Sequence, residues 1–237
     1  VVAASVHPQQ RGFCKGRRIT DDVIEIDARL QWCDRWYTDK SGLILLDLAA
    51  AFRSVAHDWL FKVLTRMGLP PQVLTAVGQL YQDCLATIKF GGDLSRSLPM
   101  LSGIRQGCPA SGSIFALALD PFIRMMIKEM PRPNTVICAF ADDIVVAARS
   151  LLTILPIIFR LFTILRAASC LADNLKKTAI VPSWEDGVAQ IRRWAIDTLP
   201  DIFQCKIART AVYLGISLGP DSDEQRWVIA AAKYLQR

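Results

Sequence analysis

None of the seven cysteines lies in a C-x-x-C pair, and only two histidines, His7 and His57, are present. That excludes the short-spaced thiolate and imidazole clusters of zinc ribbons and knuckles, and an odd cysteine count gives no neat disulfide framework. Reduced thiols are the expectation, and with them an intracellular protein of the nucleus or cytoplasm. The opening residues lack a basic run followed by an apolar core, so they do not read as a secretory leader. The greasiest stretch, Leu151 to Leu165, is interrupted by Pro156 and Arg160. It falls short of the roughly 20 apolar residues that span a bilayer and is expected as a buried helix, with no membrane partner. Repeats and low-complexity tracts are also missing. The first residue is Val1 rather than methionine, which suggests a piece of a longer polyprotein whose other domains would be partners.

What is present suits one substantial core: 237 residues, 52% hydrophobic and 21% charged, a balance that argues against disorder. The formal charge of +6 favours a polyanionic partner. Arginine far outnumbers lysine, which favours bidentate contacts to phosphate over diffuse attraction.

The chain is organised around Cys138-Ala139-Phe140-Ala141-Asp142-Asp143-Ile144-Val145-Val146. Two apolar runs flank adjacent acids, the pattern of a tight hairpin with both carboxylates at its tip. Carboxylates this close repel unless a cation sits with them, and hard oxygen-seeking cations such as Mg²⁺ suit the place. A plain surface Asp-Asp turn is the alternative. Leu43-Ile44-Leu45-Leu46 is a second short apolar run that ends abruptly in Asp47. Asp47 either N-caps a helix from Leu48 or is delivered by a central strand to its exposed end. If the two strands are neighbours, Asp47, Asp142 and Asp143 form a site for two metal ions and in-line nucleotidyl transfer.

These residues carry a resemblance. Phe-Ala-Asp-Asp at 140 to 143, Leu-Asp-Leu-Ala-Ala-Ala-Phe at 46 to 52 and Arg-Gln-Gly-Cys-Pro at 105 to 109 resemble the palm of a reverse transcriptase, the non-LTR (LINE-like) retrotransposon type above all. The resemblance runs from about Gln10 to Gly219. It implies an α/β (α+β) fold: a right-hand polymerase palm with an antiparallel sheet backed by helices, partial fingers and the start of a thumb. The fingers would take residues 1–39 and 56–105, the palm 40–55 and 106–219, and the thumb 220–237. The implied function is RNA-directed DNA synthesis, adding dNTPs to a DNA primer on an RNA template with two Mg²⁺ ions, or Mn²⁺ in their place.

In chain order, Gln10 to Arg18 interleaves basic residues with Gly12 and Gly16, a loop whose amides and guanidinium groups can approach phosphates. The resemblance places Arg17 near nucleotide or template, ahead of a helix from about Thr20; a solvated basic loop is the bland reading. Phe52 matches the steric gate against a 2′-hydroxyl, or is an ordinary core aromatic. Arg53 stands where the family usually has an acid. Helical periodicity places Leu60, Val63, Leu64 and Met67 on one face, then Val73, Leu74, Val77, Tyr81, Cys84 and Leu85 inward, with a hairpin turning at Gly91-Gly92. His57 has no partner at ligand spacing and reads as structural or exposed.

Gln106 belongs to a loop that the resemblance assigns to the nascent base pair, followed by a long helix; Ser111-Gly112 replaces the family's usual Ser-Pro. A buried helix is expected from Ser150 to about Ala172 and a short strand over Ala179 to Val181. Lys177 matches the family's lysine beside the triphosphate, with a solvated turn as the alternative. Tyr213, Leu214 and Gly215 resemble the primer grip, and Asp223 to Arg237 the first thumb helix. Two competing functions are a catalytically inactive retroelement remnant, motivated by Arg53, and a single-nucleotide cyclase. The second lacks any need for a primer grip.

Overall fold

The computed structural model describes residues 2–36, 40–131 and 133–222, together with Val228 and Ala232. A short helix α1 (Val2–Ser5) and the basic loop precede α2 (Ile19–Trp36), whose first turn carries Asp21 and Asp22 where carboxylates oppose the positive helix end. There follow β1 (Gly42–Leu46), β2 (Leu48–Ala49), α3 (Ala51–Ser54), α4 (His57–Arg66) and α5 (Pro71–Tyr81). Four two-residue strands come next: β3 (Leu85–Ala86), β4 (Lys89–Phe90), β5 (Asp93–Leu94) and β6 (Leu98–Pro99). They pair β3 with β6 and β4 with β5, folding back at Gly91-Gly92 as the glycines require. The remainder is α6 (Ser111–Glu129), β7 (Thr135–Phe140), β8 (Asp143–Ala148), α7 (Leu151–Ser169), β9 (Ala172–Asp173), β10 (Ala179–Pro182), α8 (Gly187–Thr198), β11 (Lys206–Ile207), β12 (Ala211–Tyr213) and β13 (Ile216–Leu218).

The main sheet has the order β11-β10-β1-β8-β7, antiparallel throughout except where β11 joins β10 in parallel. β1 is its centre, and all five of its residues are buried, which explains an unbroken apolar run where a half-exposed strand would alternate. Ile44 and Leu46 face a core shared with α4, α6 and α7, while Leu43 and Leu45 face a second layer made by α2 and the β12–β13 hairpin. Helices therefore cover both faces. Burial of Leu60 and Leu64 from α4 contributes about 1.5–3 kcal/mol each to the first layer.

Helix α7 is long and apolar enough to cross a membrane on length and composition, contrary to the expectation from its interrupted sequence. Its buried stripe, Leu151, Ile154, Leu155, Ile158, Leu161, Phe162 and Leu165, follows the 3-4 spacing of a helix packed on one side and lies in the main core. Pro156 sits within the helix. Two apolar expectations fail. Val73 is 41% and Leu85 61% exposed, because α5 buries only Val77 and Tyr81 and the chain leaves the helix before Leu85. His57 is structural, its Nε2 lying 2.9 Å from the Gly103 carbonyl and its ring tilted against Tyr81. The thumb helix expected over Asp223 to Arg237 lies outside the described residues except at Val228 and Ala232.

Candidate active site

Register brings the acids together. β1 and β8 are antiparallel neighbours with Leu46 opposite Ile144, so the next pair outward is Asp47 and Asp143. β7 and β8 close through a two-residue turn, Ala141-Asp142, with Phe140 paired to Asp143. Ala141 takes a φ of +59°, unusual for a residue with a side chain. Asp47 does not cap a helix, since β2 follows it and α3 starts only at Ala51. Three carboxylates therefore stand at one end of two adjacent central strands.

Their mutual influence is visible at Asp143. Its carboxyl is pushed up to about 6, first by the surrounding protein and then by the charges of Asp142 and Asp47, with Lys177 pulling the other way. Lys177 Nζ lies 3.7 Å from Asp47 Oδ1. Its loop is tied to the same strand end, because the Asn174 amide donates to the Asp47 carbonyl at 2.8 Å and Leu48 pairs with Asp173. The lysine is 69% exposed in its side chain, so the ion pair itself adds little stability. Its value is a positive charge at the carboxylates.

A second group of predicted residues shares a cleft of about 420 Å³ lined by Phe52, Gln106, Gly107, Pro109, Gly112 and Phe13. Phe52 stacks on Phe115 with ring centroids 4.5 Å apart and meets Phe13 edge-on at 5.9 Å. The ring is thus both core-anchored and a cleft wall. Phe13 escaped the sequence reading because an exposed aromatic in a basic loop carries no periodic signal. Arg53, beside Phe52, is exposed, so its reversed charge meets water.

Arg17 joins neither group. Its guanidinium donates to the backbone carbonyls of Ala3, Val6, His7 and Gln10. Arg11 is likewise internal, paired with Asp22 and Glu25 of α2 and 3.3 Å from the Cys138 sulfur on β7. Burial outweighs Arg11 at Asp22, whose carboxyl is pushed up to about 6. At the more open Glu25 the hydrogen bonds from Arg11 and Gln9 overcome burial and hold it low. Tyr213 is only 3% exposed, packs in the second layer, and its hydroxyl has no hydrogen-bond partner among the described residues. Burial pushes that phenol well up. Leu214 and Gly215 form the two-residue turn of the β12–β13 hairpin, both at positive φ, the combination that matches strand twist.

Residues 1–218 match the family described as reverse transcriptase (RNA-dependent DNA polymerase). The uncharacterized 149 kDa protein of transposon TX1 from Xenopus laevis is 32% identical over 162 residues, 64% of this chain and 12% of that protein. The Pol polyprotein of the type-1 element R2 from Bradysia coprophila is 33% identical over 87 residues, 37% of this chain and 10% of its own length. The R2DM polyprotein of Drosophila melanogaster is 26% identical over 147 residues, covering 60% and 14%. This chain thus spans 10 to 14% of these relatives. Among solved structures, a truncated apo telomerase from Candida tropicalis superposes with a TM-score of 0.62 at 9% identity, covering 92% of this chain and 42% of that one. Telomerase from Candida albicans, solved with a fragment of telomeric RNA, gives 0.60 at 10% identity, covering 85% and 33%. These likenesses establish the right-hand polymerase fold, and with the acid-bearing strands in the motif order of the match, the chain belongs to the reverse transcriptase (RNA-dependent DNA polymerase) family, with relatives among non-LTR retrotransposon proteins.

Proposed function

We propose that this chain carries the catalytic centre of an RNA-directed DNA polymerase, which extends a DNA primer with dNTPs on an RNA template. The observation that carries the reading is the strand register that sets Asp47 opposite Asp143, with Asp142 at the adjoining turn. The donor set is all carboxylate oxygen, which suits Mg²⁺ or Mn²⁺. Among the described residues no three acidic, cysteine or histidine side chains close into a cage. Beyond burial, the charges of Asp142 and Asp47 raise the Asp143 carboxyl, a repulsion that a bound cation would relieve.

Asp47 and Asp142 would hold two ions, with Asp143 in support. When bound, the ions supply activation of the primer 3′-oxygen and charge neutralisation on the departing pyrophosphate. The chain's own residues do the rest. Phe52 packs against C2′ of the incoming sugar and disfavours a 2′-hydroxyl, held in place by Phe115 and Phe13. Gln106, in the same cleft, reaches a base or sugar edge. Lys177, ion-paired with Asp47, would give a proton to pyrophosphate. With the Tyr213 ring buried, the backbone of Tyr213, Leu214 and Gly215 is what the hairpin offers a primer end. Residues 1–39 and 56–105 would serve as fingers, 40–55 and 106–219 as palm, and 220–237 as the start of a thumb, beside other domains of a longer polyprotein. An intracellular location, nucleus or cytoplasm, accompanies this reading.

The test is templated incorporation. Offered an RNA template, an annealed DNA primer, Mg²⁺ and one dNTP at a time, the protein adds the nucleotide complementary to the template base. Addition that ignores the template, or that proceeds without a primer, would overturn the reading.

A further inference from the structure

The segment before the cleft wall is bonded to the acid-bearing hairpin more closely than a fingers loop requires. Gln10 forms a parallel bridge with Ala139 on the outer edge of β7. The Arg11 amide donates to the Ala139 carbonyl at 2.7 Å, and the Ala139 amide donates to the Gln9 carbonyl at 2.9 Å. The Gln10 side chain is fully buried. Its Nε2 donates to the Ala141 carbonyl at 3.1 Å, while its Oε1 accepts from the Ala141 amide and from the Gly12 amide, both at 2.9 Å. Both polar groups of the turn residue preceding Asp142 are therefore held by one side-chain amide. Gly12 packs against the same peptide: a Cβ there would lie 2.1 Å from the Ala141 nitrogen.

Ala141 needs such restraint. A residue with a side chain at φ +59° persists only where its surroundings impose it. Without the amide of Gln10, two buried backbone groups at the tip would lose their partners. We propose that Gln10 is a positioning residue for the metal-binding carboxylates, its buried amide fixing the turn from which Asp142 and Asp143 project. The inference rests on the reading of those acids as the metal site. Outer groups that orient metal ligands are worth about 10- to 100-fold in metal affinity in other proteins, and Gln10 acts here through backbone rather than through the ligands.

Direct Mn²⁺ binding to the full chain, followed by electron paramagnetic resonance, tests this without relying on turnover. Four variants are compared with the parent: Asp142→Ala, Gln10→Met, Gly12→Ala, and Leu64→Ala as a core-cavity control chosen for its loss of thermal stability. Gln10→Met keeps volume and removes the side-chain amide; Gly12→Ala keeps that amide and displaces the Ala141 peptide it holds. Both are expected to weaken the Asp142-dependent Mn²⁺ site about tenfold or more, while Leu64→Ala, though less stable, keeps the parental affinity. Parental affinity in either folded Gln10 or Gly12 variant, or an equal loss in Leu64→Ala, overturns the positioning role. A parent with no Asp142-dependent site would instead overturn the metal reading, and the inference with it.

Discussion

The ring of Phe13 lies across Gly112, so close that a Cβ on residue 112 would come within 2.3 Å of the Phe13 Cδ1 atom. Gly112 opens helix α6 where the family usually places proline, and the reason is now local: any side chain there would displace the aromatic ring that braces Phe52. Glycine and phenylalanine form one device. Substituting Gly112→Ala is expected to expel the ring and loosen the cleft, so that Phe13→Ala costs about 1 kcal/mol less in the Gly112→Ala background than in the parent. A urea-unfolding double-mutant cycle measures the coupling; additive energies would contradict the arrangement.

Phe52 is anchored by its stack on Phe115 and faces the cleft that holds Gln106. Replacing it with alanine removes the wall expected to meet a 2′-hydroxyl. Discrimination between dNTP and rNTP, read as the ratio of kcat/KM values, should fall by roughly 10- to 200-fold, the scale of a lost steric contact. A ratio that stays put would remove Phe52 from sugar selection.

Arg17 donates to four backbone carbonyls around α1. Arg17→Ala is therefore expected to cost at least about 2 kcal/mol of folding stability, since hydrogen bonds to charged groups are the stronger ones. Denaturant midpoint and nucleotide KM distinguish the outcomes. Lowered stability with KM nearly unchanged follows from the carbonyl bonds, whereas unchanged stability with a raised KM would point to a phosphate contact.

Acidity and divalent ions should act against each other at the hairpin tip. Asp143, with its carboxyl pushed up to about 6, binds its proton more tightly folded than unfolded, where about 3.9 is usual. Its contribution is thus complete below pH ~4 and is lost as pH rises through about 6. Asp22, also pushed up to about 6 by burial, has the same sign. Because the Asp143 side chain reaches solvent, its share is no more than ~1 kcal/mol after screening. Thermal melts without metal should show Asp143→Asn stabilised at pH 8 relative to the parent and level with it near pH 4. Mg²⁺ should raise the parental melting point at pH 8 and do so less at pH 5, where protons compete. An equal Mg²⁺ effect at both pH values would contradict a carboxylate site.

Much of the palm was legible because it is written in local patterns. Leu43 to Leu46 ending in Asp47, and the apolar runs around Asp142-Asp143, are strand signals whose neighbours the sheet confirms. Pairing decided the rest. Whether Asp47 capped a helix or joined the acids depended on the register of β1 with β8, which no window of sequence contains. The resemblance at Arg17 and the basic composition at Arg11 both point to phosphate, because a loop rich in arginine looks alike whether its guanidinium groups meet phosphates, carboxylates of α2 or carbonyls of α1. The motif at Tyr213 resembles a primer grip, yet alternation along β12 turns its ring inward and leaves Val212 outside. Gln10 opens the basic loop in the sequence, but its buried amide, bonded across 131 positions, is invisible until the chain folds.

The account is tested most directly by primer extension on an RNA template with Mg²⁺ and dNTPs, the parent chain and its Asp142→Ala variant side by side, each checked for folding. Extension by the parent, and none by the equally folded variant, is the predicted result. Extension that survives loss of the Asp142 carboxylate would contradict a centre built on the hairpin tip and the end of β1.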